Sequence, residues 1–285
     1  MFAAICATHK GRGSPKCVLF NNNTGEWSDL PTPNVSHSMA GAVAVPHGVG
    51  HRIYIFGGAE YVDHTLQYLD SCEFLDVGDS QWTLIGTKMD TPRWHTRAVL
   101  LDDKTIVICG GTATDGKSTS ACDMFDLATH TFSPFPDMEM PRSNHAGVRY
   151  MGTIVVLGGF YGRETCEQFD PTIGKWALFP PCRALAGGAH ADVVADKIYA
   201  VSAMFVTSDI YVYDGSAWGA VSIAVKFTGA VAELGGRLCI FNSYNKAANG
   251  CKNTLHMYDT STEPWTVSYS DYSGAYDCYD TCVSF

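Results

Sequence analysis

RIYIFGG (52–58), TIVICGG (105–111) and TIVVLGG (153–159) bring three apolar runs to the same double glycine. A loop of variable length follows each, and then a short acidic-apolar segment: SCEFLD (71–76), ACDMFD (121–126) and TCEQFD (165–170). A few residues later an aromatic closes the unit, at Trp82, Phe132 and Trp176, and a proline-containing stretch leads into the next alternating run. Degenerate copies extend the series both ways. DKIYAVSA (196–203) with DIYVYDGSAW (209–218) is one, and GRLCIFNS (236–243) with LHMYDTSTEPW (255–265) is another. MFAAICAT with KCVLFNNNTGEW (16–27) is a unit lacking its first strand. The closing aromatics Trp27, Trp82, Phe132, Trp176, Trp218 and Trp265 lie 42 to 55 residues apart.

Alternation in GAVAV (41–45) and IYVY (210–213), with Gly, Asn, Asp and Pro between runs, reads as short strands. No long window carries a helical period. A four-stranded unit of this length cannot bury both faces alone, and packing unit on unit around an axis does so. The sequence therefore predicts an all-β, six-bladed β-propeller of four-stranded antiparallel blades, forming one domain over 1–285. Expected blades are 1–30 plus 273–285, 31–86, 87–136, 137–180, 181–222 and 223–270. SGAYDCYDTCVSF (273–285) is long enough to supply the missing inner strand of the first blade and close the ring.

The double glycine, the C/V-E-x-F/Y-D segment and the closing Trp at a period near 50 resemble the kelch repeat, across essentially the whole chain. PRWHTRAVLL (92–101) and PRSNHAGVRY (141–150) carry its first-strand signature. Cys6-Ala7, Ser202-Ala203 and Asn242-Ser243 stand where the weaker units lack glycines. The layout is similar to the propeller of BTB-kelch proteins, substrate adaptors of ubiquitin ligases, but BTB and BACK regions are missing from this sequence. The resemblance implies a protein-interaction module.

The chain has 285 residues, 46% of them hydrophobic and 17% charged, with a formal net charge of -10. That is enough apolar chain for a sizeable core and argues against disorder. An acidic surface disfavours nucleic-acid partners. No run reaches the roughly 18 apolar residues of a membrane-spanning helix, and the N-terminus makes a poor signal peptide. Eleven cysteines cannot all pair, and most sit in apolar strand-like runs. Cys17, Cys72, Cys122 and Cys166 occupy one repeated slot, which reads as small apolar packing. Free thiols point to a reducing compartment, so the expected location is cytoplasmic.

Two patterns suggest chemistry and are better read as structure, and a third stays open. GTATDGKS (111–118) matches the P-loop pattern, but a strand of the repeat follows it where a phosphate-binding loop needs a helix. His37, His95, His145 and His190 recur near first-strand entries but hold no common register, so a metal site is not expected. Nucleophile and zinc signatures are missing. Arg93 and Arg142 share one repeat position, with Lys226 at the matching place in the sixth unit. They either tie loops to neighbouring blades or face a ligand.

In an antiparallel blade, strand-one entries and the loops after strand two share one rim. The expected partner-binding residues on it are His37, Tyr61, His64, Arg93, Trp94, His95, Arg142, Asn144, Tyr161, Arg163, Phe205, Tyr244 and Lys246. Arginines and aromatics on rigidly held loops are the usual chemistry of protein recognition. The reading is thus a non-enzymatic module, without cofactor, that binds a protein or peptide on this rim and acts as a ubiquitin-ligase substrate adaptor. A monomeric propeller is expected, with no nucleic-acid or membrane partner. The alternatives are a metal-dependent kelch-type enzyme and an actin-associated scaffold.

Overall fold

The computed structural model describes residues 2–7, 16–161, 164–202, 207–227, 230–242, 253–262, 264–272 and 281–284. Its runs before the double glycines are strands buried on both sides. Successive side chains of a strand point to opposite faces, and here each face meets a different neighbour. Ile53 and Ile55 pack with Cys17, Leu19 and Trp82, whereas Tyr54 and Phe56 pack with Ile106, Ile108 and Phe125. Val107 and Cys109 then turn away toward Ile154, Val156 and Trp176. An uninterrupted apolar run is therefore the signature of a strand between two packed layers.

Five four-stranded antiparallel sheets are each built from a continuous stretch of chain. The first holds Gly41–His47, Gly50–Phe56, Cys72–Asp76 and Thr83–Leu84. The second holds Arg97–Asp102, Thr105–Cys109, Cys122–Asp126 and Thr131–Phe135. The third holds Ala146–Tyr150, Thr153–Leu157, Cys166–Asp170 and Lys175–Phe179. The fourth holds Ala189–Val194, Lys197–Ser202, Thr207–Tyr213 and Trp218–Phe227. The fifth holds Val231–Glu233, Leu238–Asn242, Asn253–Asp259 and Thr266–Tyr272. A further four-stranded sheet is composite. Thr281–Ser284 pairs antiparallel with Phe2–Ala7, Ala3 opposite Ser284, and Lys16–Asn21 and Glu26–Leu30 follow. The innermost strands abut in succession, with Thr281–Ser284 between Val231–Glu233 and Gly41–His47. The architecture is an all-β propeller of four-stranded antiparallel blades. Below, the composite blade is the first and the others are the second to sixth in chain order.

Two expectations fail at the fifth blade. Trp218–Phe227 runs through the expected boundary at 222, because GAVSIAVKF contains no breaker after its glycine and strand formers dominate it. Lys226 therefore belongs to the outer strand of the fifth blade, not to the entry of the sixth. Before the fifth blade, Arg183–Leu185 forms a single 3-10 turn.

Neighbouring blades also touch through backbone. Gly57, Gly110 and Gly158 adopt φ of 63°, 57° and 61°. A Cβ on them would lie 2.5 Å from Arg93 O, 2.5 Å from Arg142 O and 2.3 Å from Leu185 O, all on the next blade's entry. The following glycines donate across the same gap, Gly58 N to Arg93 O at 2.8 Å and Gly111 N to Arg142 O at 2.9 Å. Outside, Trp82 Nε1 donates to Pro31 O and Trp176 Nε1 to Pro136 O, at 2.8 and 2.7 Å. The closing aromatic and the proline stretch are thus two halves of one inter-blade contact.

Gly110→Ala should destabilise the protein by more than about 2 kcal/mol, combining the left-handed penalty with a backbone collision. Gly116, at φ +78° with nothing within 4 Å of its Cβ position, bears only the conformational penalty, about 1–2 kcal/mol. Urea denaturation of both variants should rank Gly110→Ala well below Gly116→Ala.

Candidate functional site

Entries and post-glycine loops do meet on one rim. Arg93–Trp94 pairs with Thr112–Ala113, Ser38 bridges Ala59, and Ser143 bridges Phe160. The loop after Gly58 folds as a hairpin, Ala59–Val62 against Thr65–Tyr68. The P-loop-like segment is a hairpin too. Ser118 bridges Thr112, Lys117 is exposed 3.7 Å from Asp115, and the strand Cys122–Asp126 follows. It holds its charge in solvent and offers no helix N-terminus.

Met39, His95 and Asn144 adopt left-handed φ of 55°, 55° and 53° at the entries of the second, third and fourth blades. This conformation is rare for residues with a Cβ. It turns each amide toward the blade before it: His95 N donates to Met39 O, Asn144 N to His95 O and Ala189 N to Asn144 O, at 2.7, 3.0 and 3.0 Å. The relay fixes the rim residues on a rigid base.

On that base the rim is aromatic between the second and third blades. Trp94 stacks on Tyr68 at 5.4 Å and lies 4.1 Å from the His95 ring. Its indole Nε1 is buried without a partner among the described residues. Tyr61, 55% exposed, and the exposed His64 rise from the adjoining hairpin. Tyr161, 69% exposed and left-handed at φ 63°, rises from the fourth blade. Asn144 is half-buried between them in the chain.

Three expected rim residues are interior. Arg93 and Arg142 are fully buried, and so is His37 apart from its edge. Arg142 donates to Gly158 O, Thr165 O and Glu167, and Arg93 to Ala121 O and Asp123. His37 reaches Gly57 O through Nδ1 and Glu73 through Nε2. Each of these entry side chains answers the acid at the second position of the C-E/D segment. That acid in turn organises the incoming loop: Glu73 accepts from Asn34 and Val35, and Glu167 from the amides of Glu139 and Met140. A buried charge needs a partner, so a histidine or arginine and an acid recur together in the second, third and fourth blades. Where Leu185 replaces the arginine, Tyr211 replaces the acid. Arg163, Phe205, Tyr244 and Lys246 lie outside the described residues.

The cysteine slot is packing. Cys72, Cys122 and Cys166 are free and buried, and burial pushes the Cys72 thiol up to about 12. Cys17, in the same slot of the first blade, is disulfide-bonded, contrary to the free-thiol reading. His145 is fully buried with neither ring nitrogen partnered among the described residues. Burial, with Arg142, Arg97 and Arg93 nearby, holds it well below the usual histidine range, hence neutral. Among the described residues no cluster of His, Cys, Asp and Glu is placed to hold a metal. Two residues with evident roles were missed from sequence, Tyr68 and Arg97. Arg97 was detectable, since Gly41 and Ala146 hold its position two residues after the left-handed turn in the neighbouring blades.

Arg142→Met alone should cost about 3–5 kcal/mol, because Glu167 is left buried without its partner. Arg142→Met with Glu167→Leu should recover much of that loss. Chemical denaturation of the single and double variants gives the comparison.

A family model described as the KLHDC2/KLHL20/DRC7 Kelch-repeats domain matches residues 6–215. Kelch domain-containing protein 3 of Bos taurus is 28% identical over 181 residues, covering 57% of this chain and 46% of that protein. Kelch-like protein terF of Aspergillus terreus is 27% identical over 194 residues, covering 63% and 41%. The chain thus spans less than half the length of these relatives. The solved structure titled "Structure of YjhT" superposes with a TM-score of 0.73 at 12% identity, over 93% of this chain and 96% of that one, a likeness of fold. The repeats, the blades and the match over residues 6–215 agree: the chain belongs to the kelch-repeat family.

Proposed function

We propose that this kelch propeller is a non-enzymatic protein-interaction module that binds a partner peptide on the rim of entries and post-glycine loops. The observation that carries this reading is the aromatic group of Tyr61, Tyr68, Trp94 and His95, flanked across the ring by Tyr161. Exposed tyrosines contribute contact area with a polar end and little rotamer entropy, which suits them to anchor a peptide. The blade core and the left-handed relay hold them in place, so little ordering cost falls on binding. His64 and Asn144 supply polar contacts within the same rim.

The finer reading is a substrate adaptor of a ubiquitin ligase, with the propeller choosing the substrate. It rests on the resemblance to adaptor propellers, and a ligase-recruiting region would have to come from elsewhere than these blades. A cytoplasmic location is part of the proposal; six buried free cysteines among the described residues support it, and the disulfide at Cys17 does not.

The test is affinity capture with the isolated chain followed by variants at exposed positions. Tyr61→Ala with Tyr161→Ala should leave the melting temperature near that of the parent and abolish capture of the partner. Unchanged capture by this double variant would place the interaction elsewhere on the propeller.

A further inference from the structure

Inside the ring, the innermost strands enclose a cavity of about 70 Å³ on the propeller axis. Its walls are small: Ala42, Ala98, Ala146, Gly147 and Ala191 line it. Two polar side chains also line it, Arg97 from the third blade and His190 from the fifth. The small residues make the room. A Cβ on Gly147 would sit 3.5 Å from the Arg97 Cβ and 2.9 Å from Val99.

Arg97 is poorly provided for. Its guanidinium makes two long contacts, 3.4 Å to Thr96 O and 3.4 Å to His190 Nδ1. Among the described residues it has no carboxylate partner, whereas Arg93 and Arg142 each have one. Asp192, on the same strand as His190, is engaged by the amides of Val193 and Glu233 at 2.8 and 2.7 Å. Burial alone lowers the Arg97 guanidinium to about 10, so it stays charged near neutrality. Arg97 is only half-buried, but a charge partly withdrawn from water without a counter-charge still carries a cost, and the room beside it is shaped by residues that leave space open.

His190 completes the arrangement. A guanidinium only donates, so Nδ1 of His190 accepts and its ring proton lies on Nε2. Burial first, and Arg97 second, lower this histidine to about 3, which keeps it neutral. It therefore presents one N–H beside a guanidinium fork that has no carboxylate partner among the described residues.

We propose that Arg97 and His190 form a binding site for a small oxyanion of the phosphate type within the axial cavity. The guanidinium supplies a bidentate, charge-assisted contact and His190 Nε2 a further donor. The site is separate from the peptide rim and independent of it. A bound anion would neutralise the inner wall of the third blade and brace it against the fifth.

The test uses the full chain with inorganic phosphate as the probe, against chloride at matched ionic strength. Calorimetry should show one saturable site, and phosphorus NMR line broadening should report the same exchange. Arg97→Gln should weaken binding at least tenfold and remove the phosphate-dependent rise in melting temperature. Its stability in phosphate-free buffer should equal or exceed that of the parent, because a charge without a counter-ion has been removed. His190→Ala and Arg97→Lys, which keep the charge but lose a donor or the fork, should each weaken binding severalfold. They also provide the readout should Arg97→Gln not fold. Equal stabilisation of parent and Arg97→Gln by phosphate would show solvent exclusion only and overturn the proposal. So would binding that is not saturable, or acetate binding as tightly as phosphate.

Discussion

The structure depends on blades approaching each other to backbone contact at the double glycines. Gly57, Gly110 and Gly158 each face the next entry's carbonyl at a distance that leaves no room for a side chain. The same chain segment then donates from the second glycine and receives the incoming blade's turn. The glycine pair therefore acts as a hinge pin between sheets, and its left-handed φ serves the crossing as much as the turn.

From that constraint the other repeated residues acquire their positions. The entry cation is buried because the glycine pair draws its backbone against the previous blade. Once buried, it needs the acid of the third strand, and that acid holds the loop arriving from the blade before. The left-handed Met39, His95 and Asn144 extend the contact inward as a chain of backbone hydrogen bonds. Strained turns of this kind persist when surrounding structure over-determines them. Here one of the strained residues, His95, lies against the Trp94 ring, so rigidity and recognition meet at the same place.

Much of the fold was legible because a propeller repeats its physics at a fixed period. The apolar runs, the glycine pairs, the closing aromatics and the terminal strand across from Phe2–Ala7 were all readable before any coordinates. The blade boundary near 222 was not, because the extended outer strand Trp218–Phe227 carries no breaker to mark its end. The site was legible only in outline. The structure leaves Tyr61 and Tyr161 exposed and Trp94 half-buried, but buries Arg93, Arg142 and His37, which the sequence reading had put on the same rim. Whether an arginine beside a loop faces solvent or a buried acid depends on its partner's position in another strand. The paired recurrence of His37, Arg93 or Arg142 with Glu73, Asp123 or Glu167 was the available clue. Arg97 went unnoticed because its meaning lies in what surrounds it, a ring of alanines and glycines contributed by distant segments.

The most direct measurement of this account is amide hydrogen exchange at the inter-blade donors. His95, Asn144 and Ala189 lie at turns or at a strand's first residue, where exposed loops exchange fast. If backbone contact between blades holds the ring together, these amides and those of Gly58 and Gly111 will be protected to nearly the level of Ile108 and Val156. Exchange at the rate of free loops, while the strands remain protected, would mean that side-chain packing alone joins the blades and would contradict the account.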